Sequence, residues 1–318
     1  MSRPFSERVG QQDWRREAEG WARAELERGG IEVTGPIEQP RIRPWSTQLT
    51  IPTSLGRVWF KANCSYMAFE PRLQRVLAEI APAAVDAPYA IDAGRGWMLT
   101  VDRGVTLGDS REPTVDEWQR VLRGAANLQR VVVGHEETVL AAGIPDCGPS
   151  TVVDRLDRLV DIFSTLPEDH PAHVSAELRT RLLAARSEVA DAAAVLEASS
   201  LPSTWQHGDL HPWNVFAADG RMFDFGDGQW AHAAELLSVP YGSIMQRGEI
   251  SWDQLLGEYA EGWDVSAAEL ESQWLATGLT QPVNRTLLWW GCLQEATAAE
   301  WVQWGDGVLQ HLTRVLEP

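Results

Sequence analysis

Cysteine is scarce in this chain of 318 residues, and its placement excludes two common roles. Cys64, Cys147 and Cys292 are odd in number, far apart and never in a CxxC spacing. Neither a disulfide framework nor a zinc site is indicated, and a reducing compartment is expected. Runs of lysine or arginine are missing as well. With 27 basic against 45 acidic residues and a formal charge of −18, the surface repels a phosphate backbone, so nucleic acid is not an expected partner. No stretch approaches the roughly 20 apolar residues of a membrane helix, and the polar first ten residues contain no apolar leader core. No membrane association and a cytoplasmic location are therefore expected. There are no repeats and no low-complexity tracts.

What is present suits an ordinary globular enzyme: 44% hydrophobic and 23% charged residues. The length exceeds a usual single core and points to two lobes. Trp14, Ala18, Trp21, Ala22 and Leu26 form one helical stripe over 13–28, closed by Gly29-Gly30. Short strand-like runs follow at 41–43, 48–52 and 57–61, the last two joined by Thr53-Ser54-Leu55-Gly56. A helix is predicted over 66–80, from Phe69, Leu73, Val76, Leu77 and Ile80, and strands near 85–91 and 97–101. Periodicity is lost after Val101, and Thr114 with Glu117 supplies a capping box for a long helix. A lobe boundary placed here gives an N-terminal lobe, 1–102, and a C-terminal lobe, 103–318. The second lobe is mostly helical, with helices expected at 115–132, 151–163 and 176–196 and one capped by Ser266 and Glu269. Within it Val215-Phe216 and Met222-Phe223 flank Asp219-Gly220, a strong hairpin signal. The fold class is α+β.

The chemistry concentrates in His207-Gly208-Asp209-Leu210-His211-Pro212-Trp213-Asn214, followed after the hairpin by Asp224-Phe225-Gly226-Asp227. A carboxylate on a rigid loop can take a hydroxyl proton at the moment of transfer, which suits Asp209. Asn214 and Asp224 offer the hard oxygen ligands that Mg²⁺ prefers, side by side across the hairpin. A rival site, with His207, Asp209 and His211 as alternating metal ligands, wants a further protein ligand that nothing obvious supplies. Lys61 ends the apolar run Val58-Trp59-Phe60, which directs its ammonium toward the cleft between the lobes. Glu70 is the expected carboxylate partner of Lys61, with Glu79 in reserve.

HGDxxxxN joined by a DG hairpin to DFG, with a strand-final lysine upstream, resembles the aminoglycoside phosphotransferase family of protein-kinase-like small-molecule kinases. The likeness extends from about residue 37 to the C-terminus. It implies a two-lobed protein-kinase-like fold: a small lobe with an antiparallel sheet and one main helix, and a larger helical lobe. It also implies ATP and Mg²⁺ as cofactors, Asp209 as base, Asn214 and Asp224 as metal ligands, and Lys61 and Glu70 as nucleotide-side residues. Position in the fold adds Ser46 as a phosphate contact and Thr100 and Asp102 as the hinge that would hold adenine. Pro44-Trp45-Ser46-Thr47 stands where protein kinases carry GxGxxG, and no activation segment ends in an APE-like triplet, so a small-molecule acceptor is favoured over a protein.

Ten of the sixteen tryptophans fall between Trp205 and Trp304. Indole faces stack on sugars, and ammonium groups pair with carboxylates or lie over Trp, so Trp213, Trp290 and Glu295 are expected at the acceptor, together with Asp209. An amino sugar, an aminoglycoside or a similar hydroxylated metabolite, with a cationic acceptor in view, fits this pattern; helix packing fits the tryptophans equally well. Two other readings stay open: a nucleotide-binding protein of this fold without turnover, and a protein kinase.

Overall fold

The computed structural model describes residues 3–109, 111–246 and 250–317; Met1, Ser2 and Pro318, at the ends of the two expected lobes, lie outside them. Two helices open the chain, α1 (Phe5–Val9) and α2 (Gln12–Arg28). The first was not expected from sequence. The second follows its apolar stripe: Ala18, Ala22 and Leu26 are buried, and Trp14 and Trp21 meet Phe60 edge-on at 6.1 and 5.7 Å.

Beneath α2 lies an antiparallel sheet of β1 (Glu38–Ile42), β2 (Ser46–Thr53), β3 (Gly56–Asn63), β4 (Ala90–Asp92) and β5 (Trp97–Val101), in the order β1-β2-β3-β5-β4. The β2–β3 turn is where Thr53-Ser54-Leu55-Gly56 predicts it; Gly56 takes φ 103, a conformation costly for a residue with a Cβ. Strand alternation does the essential work in β3. Val58, Phe60 and Ala62 face the core under α2, so Trp59 and Lys61 face the opposite side and line a cleft.

Between β3 and β4 runs α3 (Glu70–Ile80). It is shorter than its periodicity predicts because Pro71 is tolerated only in a first turn; residues 65–67 form a separate 3-10 turn. The strand expected over 85–91 shrinks to β4, since Ala84 and Val85 are held in a turn by the Ala81 carbonyl, at 2.9 and 3.0 Å.

The remaining elements are α4 (Val115–Val132), α5 (Glu136–Ala141), α6 (Val152–Ser164), α7 (Ala176–Ala184), α8 (Arg186–Glu197), β6 (Ser203–Gln206), β7 (Gln229–His232), α9 (Ser238–Met245), α10 (Trp252–Trp263), α11 (Ala267–Cys292), α12 (Ala298–Trp304) and α13 (Asp306–Thr313). α4 starts at Thr114 with both halves of the capping box formed, and Ser266 caps α11 by accepting from the Glu269 N–H. The single helix expected over 176–196 is two, parted at Ala185. No residue there breaks helices; α8 packs on α11 while α7 packs on the C-terminal turn, so tertiary contacts override local propensity. The mixture of a five-stranded antiparallel sheet, a two-stranded antiparallel β6–β7 ladder and many helices is the α+β, kinase-like plan.

Candidate active site

Three charged side chains meet where the sheet abuts the helical region. The Lys61 Nζ lies 2.7 Å from Glu70 Oε2 and 2.6 Å from Asp224 Oδ1. Glu70, the first residue of α3, is fully buried and also accepts from Asn63 Nδ2 at 2.6 Å. Burial alone would favour a neutral amine at Lys61, but the Asp224 and Glu70 carboxylates outweigh it and hold the ammonium charged. Lys61 is the sole lysine in the sequence. Glu79 is exposed on the far face of α3.

Opposite, the loop after β6 is built around His207 and Gly208. The buried His207 accepts from the Asp209 N–H at Nδ1, 3.3 Å, so its Nε2–H donates to the Phe223 carbonyl, 3.0 Å. Burial holds its pKa below the ordinary value, and this neutral ring ties the Asp209 loop to Phe223, the residue before Asp224. Gly208 has φ 78, and a Cβ there would sit 2.1 Å from the Asp227 carbonyl oxygen, so no other residue fits. Beyond it, Asn214 Nδ2 donates to the Asp209 carbonyl at 2.9 Å. The hairpin forms as its Asp219-Gly220 turn predicts, with Val215 bridged to Met222 and the Phe223 N–H on the Asn214 carbonyl at 3.1 Å. It brings Asn214 beside Asp224, which adopts the left-handed conformation at φ 64, rare for a residue with a side chain.

Asp209 has two further neighbours. His211 Nε2 lies 3.3 Å from Oδ2 and Arg285 Nη2 3.2 Å from Oδ1. Burial would raise its pKa, yet the His211 hydrogen bond and the Arg285 charge hold it well below the usual carboxylate range. Arg285, on α11, also pairs with Asp227 Oδ2 at 2.6 Å and donates to the Gly208 carbonyl at 2.7 Å. Asp227 behaves oppositely: burial, with Asp209 and Asp224 nearby, pushes it up to about 6 against the pull of Arg285. The sequence reading missed Arg285. A signal was available, since it is the only charged residue from Ser272 to Gln294 and a lone charge on an apolar helix wants a partner.

A cavity of about 790 Å³ runs from Lys61 and Asp224 outward between Trp59, Met98, Phe216 and Phe223. Thr100 and Asp102 line it; Ser46 does not, being buried at the start of β2. Trp213 is half-exposed beside the Asp209 loop, its indole against Gly108, where a Cβ would come within 2.5 Å of the ring. Trp290 and Glu295 stand away from the cleft. Trp290 packs edge-on to Phe163 at 5.0 Å, because one residue along a helix turns the side chain by about 100°; Trp289 takes the cleft side instead. Glu295 lies past the end of α11 and is occupied with Ser65 N, 2.8 Å, and Arg8, 3.1 Å.

Among the described residues no cluster of three or more His, Cys, Asp and Glu could hold a metal ion, so the rival site at His207, Asp209 and His211 does not form. Asn214 and Asp224 still fit Mg²⁺. Bonding through Nδ2 leaves the Asn214 amide oxygen as the group's acceptor, and this ion is commonly held by one or two protein oxygens with phosphate and water completing its shell.

The model of the phosphotransferase enzyme family, APH, matches residues 66–274. The chain belongs to that family. It is accordingly a phosphotransferase, with Glu70, Asp209, Asn214 and Asp224 inside the matched span and Lys61 and Arg285 outside it. Solved structures of family-like fold cover nearly the whole chain. A macrolide 2′-phosphotransferase from Brachybacterium faecium is 18% identical with TM-score 0.58, over 94% of this chain and 98% of that one. APH(2″)-IIia in complex with GDP and kanamycin is 13% identical with TM-score 0.61, over 94% and 99%. An ethanolamine kinase from Plasmodium vivax is 11% identical with TM-score 0.62, over 91% and 83%. At these identities the likeness shows the fold alone. No curated protein matches the chain by sequence. Among the described residues, no helix is long and apolar enough to cross a membrane.

Proposed function

We propose that this phosphotransferase is an ATP-dependent small-molecule kinase that moves the γ-phosphoryl group to a hydroxyl, with Asp209 as base and Asn214 and Asp224 holding Mg²⁺. One observation carries the reading: the Lys61 ammonium, clamped between Glu70 and Asp224, lines a nucleotide-sized cavity that is also lined by Phe216, Met222 and Phe223 of the hairpin that follows the Asp209 loop. Phosphoryl transfer needs positioning and electrostatic stabilisation more than covalent help, and this arrangement supplies both.

In this reading the adenine ring lies toward Thr100 and Asp102, between the Trp59 and Phe216 walls, and Lys61 meets the α- and β-phosphates, keeping Glu70 as its fixed partner. Bound Mg²⁺ supplies a divalent charge that offsets the charge developing on the phosphoryl oxygens. The acceptor oxygen bonds to the γ-phosphorus as the bond to the β–γ bridging oxygen breaks. The hydroxyl proton passes to Asp209, and the electron pair leaves with the nucleoside diphosphate. The depressed pKa of Asp209 makes it a weak base that acts late, when the hydroxyl has become acidic, and Arg285 and His211 orient its carboxylate.

Lys61 gives a direct test. Lys61→Met should weaken Mg²⁺-ATP binding, read calorimetrically, by roughly 10- to 100-fold, the loss of a charge-assisted contact to phosphate. Unchanged Mg²⁺-ATP affinity in that folded variant contradicts the nucleotide assignment. Acceptor-dependent ADP release across sugars, amino sugars, cyclitols and aminoglycosides, abolished in Asp209→Asn, tests the transfer itself; equal activity of that variant and the parent removes Asp209 from the mechanism.

A further inference from the structure

The space beside the reacting carboxylate is small and differently made. A second cavity, of about 90 Å³, opens at Asp209 and is walled by Trp45, Trp289, Met67 and Leu288, with Asp227 and Arg285 at its base. Its charged groups are two carboxylates and one guanidinium, and the guanidinium touches both acids. An ammonium group brought to Asp209 would therefore share an acid that the Arg285 guanidinium already pairs, with that like charge beside it. A buried charge without its own partner is strongly disfavoured. A neutral hydroxyl meets no such opposition: it can donate to Asp209 Oδ2, whose present partner is His211 at 3.3 Å. The indoles of Trp45 and Trp289, 5.8 Å apart and steeply inclined, offer apolar faces to the C–H side of a ring.

Resting on the kinase reading, we propose that Arg285 is a specificity-determining residue which makes the acceptor an uncharged polyhydroxylated ring, a neutral sugar or cyclitol, and turns away amino sugars and aminoglycosides. The acid–base–acid triplet carries one net negative charge in place of two, so the attraction that an array of carboxylates gives a polycation is reduced here. The volume, roughly that of three waters, admits the reacting carbon and its hydroxyl; seating the rest of the ring requires Trp45 to move. Trp45 sits on the β1–β2 turn, held edge-on by Trp289 and by Trp304 at 5.1 Å.

Matched pairs decide the matter. ADP release is measured with glucose and glucosamine, galactose and galactosamine, and with kanamycin, in the parent, Arg285→Met and Asp227→Asn. Binding of the same compounds is read calorimetrically in the presence of Mg²⁺-ADP, so that a ligand registers even where no phosphate moves. The neutral member of each pair should win by at least about tenfold in kcat/KM or affinity. Arg285→Met should shrink that ratio by about tenfold, and Asp227→Asn, which removes an acid and keeps the arginine, should widen it; the second variant gives the answer if the first does not fold. Preference of the parent for the amino members, ratios unmoved in the folded variants, or no binding by either member of any pair overturns the proposal. Failure of Mg²⁺-ATP to bind at all would sink the kinase reading instead.

Discussion

On the nucleotide side the cleft holds about 790 Å³ between β3, β5 and the 215–223 hairpin, whereas beside Asp209 it holds about 90 Å³ under Trp45 and Trp289. The first volume lies within the range of preformed small-molecule sites and the second far below it. One wall of the roomy half is a sheet whose strands cannot shift singly without breaking their ladders. The tight half is closed by one turn of chain resting on indole edges, each such contact contributing about 1 kcal/mol. On the kinase reading, nucleotide enters a site already built. The proposed acceptor displaces a side chain, which would assign discrimination between acceptors to the tight half.

The sharpest way to separate the halves is Asp209→Asn. Turnover should fall by about a thousandfold, within the range of general-base contributions, while Mg²⁺-ADP affinity by calorimetry stays within about twofold. Comparable losses in both would mean that the halves are one site.

Glu235 offers a test behind the tight half. Its carboxylate is buried under α11, accepting from Thr280 at 2.7 Å and Asn284 at 2.8 Å, and burial pushes it up to about 7 from an ordinary 4.5. A folded pKa above the unfolded one means that the folded state retains a proton the unfolded state releases. Its stabilising contribution is full below pH about 4.5 and is lost as pH rises through about 7, on the order of 3 kcal/mol in all. Urea unfolding from pH 4.5 to 8 should show this decline. Glu235→Gln should flatten it, since the Thr280 hydroxyl can turn to accept from the new amide.

On the roomy side, Asp224→Asn should weaken Mg²⁺-nucleotide binding by roughly 10- to 100-fold and leave the ratio between acceptors untouched. Smallest is Trp45→Ala, for which a loss of about 1–2 kcal/mol in urea midpoint stability is expected, from two edge contacts and a half-buried ring. Nucleotide affinity should hold and KM should fall for acceptors too bulky for the parent. A KM rise for every acceptor would show that the indole holds the ring and does not bar it.

The gathering of Lys61, Asp209, Asn214 and Asp224 was legible in advance because its determinants are local. Asp209, Asn214 and Asp224 lie within sixteen residues joined by a hairpin whose turn residues declare themselves, and Lys61 is delivered by strand alternation. The tight half is assembled from the β1–β2 turn, the Asp209 loop and α11, which no short-range pattern connects. Periodicity marked α11 as a helix but could not fix its rotation, so Trp290 was chosen where Trp289 faces the cleft. Arg285 went unnoticed because its partners are 58 and 76 residues away. Glu295 was read as a ligand group because an acid near tryptophans suits a cation, whereas its oxygens are satisfied within the protein.

That last residue has a consequence for how ligands communicate. Glu295 accepts from the Phe5 N–H through its backbone carbonyl at 3.0 Å, and its two carboxylate oxygens hold Ser65 N and Arg8. One position just past α11 thus fastens the N-terminal segment and the link between β3 and α3, the link that sets Lys61 against Glu70. This link would carry a displacement of α11 to the lysine clamp, and any resulting coupling would be reciprocal: whatever factor the acceptor imposed on nucleotide affinity, the nucleotide would impose equally on the acceptor. Replacing Glu295 with alanine should bring that factor toward one.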